Sequence, residues 1–204
     1  MTGKKENETH GPEVWFVGAG PGDPELITVK GQRLVAEADV LIYAGSLVNP
    51  DLVAQSKAQI RLDSWGMHLP DMVEIMVKEA RAGKKVVRLH SGDPSLYGAI
   101  VEQIELLEAQ GVSVKIVPGV SSLFAAAAAL KTQLTLRGVS ESVIVTRPAG
   151  KTLAADQIPE FSRTARPWSC SSAPRSSTRS PENSNARRIP RQRSCTMPRG
   201  RTRK

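Results

Sequence analysis

The sequence predicts an α/β fold built on a mostly parallel sheet flanked by helices, followed by an incomplete second α/β domain and a disordered tail. Three observations predict it. From residue 13 onward, short apolar runs alternate with amphipathic stretches of helical length. Three of those apolar runs end in turns rich in Gly, Pro, Asp and Ser. After Arg163 the alternation stops, and Ser, Arg and Pro dominate.

Val14 to Val17 is an apolar run closed by glycines and reads as the first strand. Leu26, Val29, Leu34 and Ala38 have helical spacing. Val40 to Tyr43 is a second buried strand, and Gln59 to Leu62 a weaker third. Met72 to Ala82 is an amphipathic helix with Gly83 in the usual position just past its end. Val86 to Leu89 gives a fourth strand, Ala99 to Gln110 a helix, and Val112 to Val117 a fifth strand. Strands and helices alternating at these lengths indicate parallel pairing with both faces covered. Ser121 to Leu130 is a short alanine-rich helix, and Ser142 to Thr146 starts another strand. The expected organisation is a disordered segment over 1–12, an N-terminal α/β domain over 13–124, the start of a second domain over 125–162, and a basic tail over 163–204.

The formal charge of +8 conceals an asymmetry. Residues 163–204 hold eleven Arg and one Lys against the single acid Glu182, whereas residues 1–162 carry 16 basic and 19 acidic groups. The body is mildly acidic and the tail carries the positive excess. Such a tail binds polyanions nonspecifically. With Trp168 its only aromatic and no recognisable module, it gives no basis for specific nucleic-acid recognition. No run of 18 apolar residues suggests a membrane span. The polar start, Met1 to Glu13, does not resemble a signal peptide, so a cytoplasmic location is expected. Cys170 and Cys195 have no metal-ligand spacing, and no metal site is expected.

The chemistry concentrates in the three turns. Open α/β sheets hold small ligands outside the carboxyl ends of their strands, and Ser91-Gly92-Asp93-Pro94-Ser95-Leu96-Tyr97-Gly98 follows such a strand. Gly92 permits close backbone approach, Pro94 stiffens the turn, and Asp93 presents a carboxylate to the crevice. A purely structural role for Asp93, capping the next helix, is the alternative. Gly18-Ala19-Gly20-Pro21-Gly22-Asp23-Pro24 and Pro118-Gly119-Val120-Ser121-Ser122 occupy equivalent places. Ser121 and Ser122 also suit an ordinary helix start. A nucleotide-binding Rossmann-like module is the competing reading of the first turn. Its fingerprint requires Gly where Asp23 stands, and that carboxylate would repel a pyrophosphate.

These three turns together resemble the signatures of the tetrapyrrole methylase family. Within it, Tyr43-Ala44-Gly45-Ser46-Leu47-Val48 and Asp63-Ser64-Trp65-Gly66-Met67 are similar to the precorrin-4 carbon-11 methyltransferase branch, including its cobalt-dependent members. Members acting on uroporphyrinogen carry Asp-Arg where Ala44-Gly45 stands, which disfavours that substrate here and leaves the catalytic residues unassigned. The resemblance implies transfer of a methyl group from S-adenosylmethionine to carbon 11 of precorrin-4 or cobalt-precorrin-4 in cobalamin biosynthesis, by a homodimer. It places Gly92, Asp93, Leu96, Ser121 and Ser122 at the methyl donor, and Pro21 at the donor or at the border of the tetrapyrrole cleft. Arg137 and Arg147 are candidates for pairing with tetrapyrrole carboxylates, with solvated surface charge the alternative. His90 and His68 read more simply as structural residues than as acids or bases.

The tail has a second reading in the genetic code. With synonymous codons chosen freely, the shifted frame from Thr164 can encode Gly-Thr-Thr-Met-Val-Met-Phe-Leu-Ser-Thr-Gln, an apolar strand. Cys195 through Arg203 can likewise encode Tyr-His-Ala-Thr-Trp-Pro-Asp-Glu, which looks like the branch's second domain. The tail is therefore expected to be a frame-shifted translation of a lost C-terminal domain. A chain lacking one wall of the donor pocket is expected to bind the donor weakly.

Overall fold

The computed structural model describes residues 11–138, 141–150, 153–155, 157–158 and 168–170. The chain divides into two compact units, Met1–Ala125 and Ala126–Lys204.

In the first unit, strands β1 (Glu13–Gly18), β2 (Val40–Tyr43), β3 (Ile60–Asp63), β4 (Val86–His90) and β5 (Ser113–Val117) form one sheet in the order β3-β2-β4-β1-β5. Every neighbouring pair is parallel. Helices α1 (Val29–Glu37), α2 (Pro50–Ala54), α3 (Leu69–Arg81) and α4 (Val101–Glu108) connect the strands. Alternate strand residues face opposite layers. Val17, Leu41, Val87 and Leu89 pack with Leu34 and Val35 of α1 and Leu52 of α2. Val14, Phe16, Ile42 and Val86 pack with Met72 and Met76 of α3 and Leu107 of α4. Phe16 is fully buried, and burial of a side chain of that size contributes roughly 1.5–3 kcal/mol.

Several boundaries differ from the sequence reading for local reasons. The helix expected from Leu26 starts at Val29, because Pro24–Leu26 forms a separate 3-10 turn and Thr28 caps α1 by accepting from the Gly31 N–H at 3.1 Å. Helix α2 was not expected. Its five residues are too few to show a period, and its start is marked only by Asn49, whose side chain accepts from the Asp51 N–H, and by Pro50. Within the N-terminal stretch read as disordered, the Pro12 carbonyl accepts from the Ser113 N–H at 2.9 Å, where the edge strand β5 offers a donor; residues 1–10 lie outside the described residues.

Chain direction reverses inside this sheet. From β1 the chain moves toward β2 on the α1 face, while from β4 it moves past β1 to β5 on the α4 face. The loops leaving the adjacent strands β1 and β4 thus part company at one edge, the arrangement in which open sheets bind ligands. Helix α5 (Ser122–Ala129) follows β5.

In the second unit, β6 (Ile144–Thr146) pairs in parallel with β7 (Trp168–Cys170). The disordered tail expected over 163–204 is therefore interrupted by a three-residue strand, whose backbone finds partners along β6. The rest of that tail, with its shifted-frame segments, lies outside the described residues. Among the described residues no helix is long and apolar enough to cross a membrane.

Candidate functional site

Gly18, Gly92 and Gly119 meet backbone to backbone where β1, β4 and β5 end. A Cβ on Gly18 would lie 2.5 Å from the Gly119 Cα and 2.6 Å from the Gly92 carbonyl oxygen. A Cβ on Gly119 would lie 2.2 Å from that same oxygen. Gly92 turns the chain with φ of 62°, a conformation that favours glycine. Gly20 and Gly92 exchange backbone hydrogen bonds of 3.2 and 2.8 Å, which joins the first two loops.

Asp93 fastens the third loop. Its Oδ2 accepts from the Gly119 N–H at 2.9 Å, and its Oδ1 accepts from the Ser95 N–H at 2.8 Å. Both oxygens therefore hold backbone, whereas the sequence suggested a carboxylate presented to the crevice. Nor does Asp93 cap the next helix: α4 begins at Val101, and Ile100 precedes it. The Asn49 amide adds a fourth tie by donating to the Gly22 carbonyl at 2.7 Å.

All six residues expected at the donor, Pro21, Gly92, Asp93, Leu96, Ser121 and Ser122, lie on the three joined loops or at their end. A Cβ on Gly92 would come within 3.8 Å of the Ser121 Cα. Ser121 is buried, and its hydroxyl accepts from the Leu123 N–H at 3.3 Å, so it caps α5. Ser122 is exposed at the start of that helix. Leu96 is half-buried in the β4–α4 connection. Just beyond it, Tyr97 and Ala99 take φ of 58° and 48°, strain of about 1–3 kcal/mol each for non-glycine residues. Between them a Cβ on Gly98 would sit 2.1 Å from the Pro94 carbonyl. This tight loop was not foreseen; among the residues involved, only Gly98 signals it in the sequence.

A second latch joins β2 to β3. Asp63 Oδ1 accepts from the Gly45 and Trp65 N–H groups, both at 2.9 Å, and these bonds, Gly45 first, hold its carboxyl below the usual range. Ala44-Gly45 thus carries a backbone attachment where the resemblance's uroporphyrinogen branch has Asp-Arg.

His68 is exposed and precedes α3 without capping it. Arg137 and Arg147 belong to the second unit. His90 is buried, its ring 5.2 Å from that of Phe16. Burial, reinforced by the Arg88 charge, pushes its pKa down to about 3. The unfolded histidine, near the ordinary 6.5, takes up a proton first as pH falls. This contribution to stability is complete above about pH 6.5 and is lost toward pH 3, at about 1.4 kcal/mol per pH unit inside that window. Urea unfolding should show a falling midpoint from pH 7 to pH 5, and His90→Phe should flatten it. An unchanged slope in that variant would remove His90 as the cause.

Residues 13–176 match the family described as Tetrapyrrole (Corrin/Porphyrin) Methylases, a match that runs past Arg163. The chain belongs to the tetrapyrrole methylase family. It is 58% identical over 141 residues to the cobalt-precorrin-4 C(11)-methyltransferase of Methanocaldococcus jannaschii, a match covering 69% of this chain and 54% of that one. The chain thus spans about half the length of that relative. Among solved structures, a cobalt precorrin-4 methyltransferase is similar with a TM-score of 0.68 and 51% identity, covering 71% of this chain and 61% of the other. The uroporphyrin-III C-methyltransferase of Thermus thermophilus, complexed with S-adenosylhomocysteine, is similar with a TM-score of 0.63 and 33% identity, over 75% and 63% of the two chains. The parallel sheet is therefore this family's fold.

Proposed function

We propose that the loop junction of Gly18, Gly92 and Gly119 holds S-adenosylmethionine, and that the chain's function is methylation of precorrin-4, or cobalt-precorrin-4, at carbon 11 in cobalamin biosynthesis. The observation that carries this reading is the three-loop contact fastened by Asp93, at the sheet edge where chain direction reverses. Similarity to a cobalt-precorrin-4 methyltransferase at 58% identity supports the substrate class. The lower identity of the uroporphyrin-III enzyme, 33%, agrees with Ala44-Gly45 in disfavouring uroporphyrinogen.

S-adenosylmethionine, when bound, supplies an electrophilic methyl on a sulfonium. An electron-rich tetrapyrrole carries its own nucleophilic carbon, so the protein's task is to hold the partners in line, about 3–3.5 Å apart, and to exclude water. Pro21, Gly92 and Leu96 would border the donor, and Ser121 and Ser122 would shape its other side. Asp93 would serve by rigidifying the loops, since both its oxygens are engaged. The whole enzyme works, on this reading, as a cytoplasmic homodimer; the family resemblance supports the dimer. The domain boundaries at 124 and 162, and a shifted reading frame from Thr164, belong to the same proposal. The period-free composition after Arg163 supports the boundary at 162 and the shifted frame.

Isothermal titration tests the donor assignment. S-adenosylhomocysteine should bind with a saturable heat while NAD gives none. Saturable NAD binding without any S-adenosylhomocysteine response would replace the methylase reading with a nucleotide-binding module.

A further inference from the structure

Arg88 occupies the middle of β4, in register with Phe16 of β1 on one side and Ile42 of β2 on the other. The two-residue period of a strand puts Arg88 and His90 on the face of Val86, toward the layer of α3 and α4. Strand β4 is central in the sheet, so a charged residue there is unusual, and Arg88 retains only 8% exposure and His90 6%. Among the described residues, Arg88 Nε and Nη1, His90 Nε2 and the neutral acceptor Gln103 Oε1 of α4 have no hydrogen-bond partner. Buried polar atoms are nearly always paired, and a buried guanidinium most of all.

The charge survives burial. Desolvation lowers the Arg88 pKa only to about 10, with the Asp63 carboxylate opposing that shift, so the guanidinium stays cationic at neutral pH. Asp63 does not close an ion pair with it among the described residues, and its Oδ1 already serves Gly45 and Trp65. His90 is kept neutral by the same burial. The site therefore holds a planar, cationic guanidinium with no ion-pair partner among the described residues, and a neutral imidazole two residues closer to the sheet edge. One planar monoanion balances this, and a carboxylate matches a guanidinium edge. A dianion such as sulfate would bury an unpaired negative charge close to Asp63.

We propose that Arg88, with His90 beside it, forms a subsite for one carboxylate of a ligand bound at the carboxyl edge of the sheet. The subsite does not depend on methyl transfer. If the proposed function holds, two carboxylates are available to fill it: that on the amino-acid end of the methyl donor, and an acetate or propionate arm of the tetrapyrrole.

Acetate and propionate are the probes, titrated into the full 204-residue chain at constant ionic strength. The readouts are the Arg88 Nε–H and His90 imidazole NMR signals and the thermal midpoint. Expected are saturable shifts of both signals and a midpoint that rises with acetate, with no such response to sulfate. Arg88→Met should weaken acetate binding at least about tenfold, and Arg88→Lys by less. Should Arg88→Met not fold, the wild-type signals and Arg88→Lys still decide the matter. Saturating S-adenosylhomocysteine that abolishes the acetate response, while methylthioadenosine does not, assigns the subsite to the donor's carboxylate. An acetate response that survives S-adenosylhomocysteine assigns it to the tetrapyrrole arm. The methylase reading fails separately, if S-adenosylhomocysteine does not bind while acetate still does. Absence of saturable carboxylate shifts, equal response to sulfate, or unchanged affinity in Arg88→Met overturns the subsite.

Discussion

Gly119→Ala is expected to destabilise the fold by about 1–3 kcal/mol and to reduce S-adenosylhomocysteine affinity at least about tenfold. The methyl group it adds would lie 2.2 Å from the Gly92 carbonyl oxygen and 2.7 Å from the Gly18 Cα. Both obstacles are backbone, so no rotamer change relieves them. The loops must separate, and the natural place to part is the Asp93 Oδ2 bond to the Gly119 N–H, 2.9 Å long. Gly18→Ala meets the same backbone from the other side, at 2.5 Å from the Gly119 Cα, and should behave alike. Gly11→Ala is the control: nothing lies within 4 Å of its added Cβ, and its effect should stay within about 0.5 kcal/mol. Urea unfolding and isothermal titration on the three variants measure both effects. Wild-type affinity in Gly119→Ala would mean that close packing of these loops is irrelevant to the donor.

Restoring the alternative frame from codon 164 is expected to raise methyl transfer about a hundredfold or more, the scale on which imprecise positioning slows a reaction. The first unit supplies a sheet edge with three fastened loops, and the family relative from Methanocaldococcus jannaschii is nearly twice as long as the matched region. Labelled methyl passing from S-adenosylmethionine to precorrin-4 or cobalt-precorrin-4, with S-adenosylhomocysteine as the other product, is the signal to compare between the two chains. Equal rates would contradict the proposal. So would a DNA sequence whose codons after 163 do not spell the apolar frame.

The sheet was legible because parallel strands buried on both faces read as near-continuous apolar runs, as Val40 to Tyr43 does and as Val86 to Leu89 does but for Arg88. Its glycine turns were legible too, since few residues besides Gly, Pro and Asp suit such corners. The role of Asp93 was not. Its bond to the Gly119 N–H depends on the distance between β4 and β5, and those strands reach their places only through a crossover past β1. Arg88 escaped notice for the opposite reason. One cation inside an apolar run does not alter a strand prediction, and its burial without partners emerges only when Phe16 and Ile42 close in from both sides. Helix α2 and the strained Tyr97 and Ala99 are local features whose causes lie in packing rather than in pattern.

Backbone amide NMR of the chain titrated with S-adenosylhomocysteine tests the central claim most directly. The amides of Gly20, Gly92, Gly119 and Ser122 should shift together along one saturable curve, while those of α3's carboxyl end, such as Arg81, stay still. Shifts confined to other parts of the sheet, or none at these glycines at saturating ligand, would contradict the assignment of the three-loop junction as the donor site.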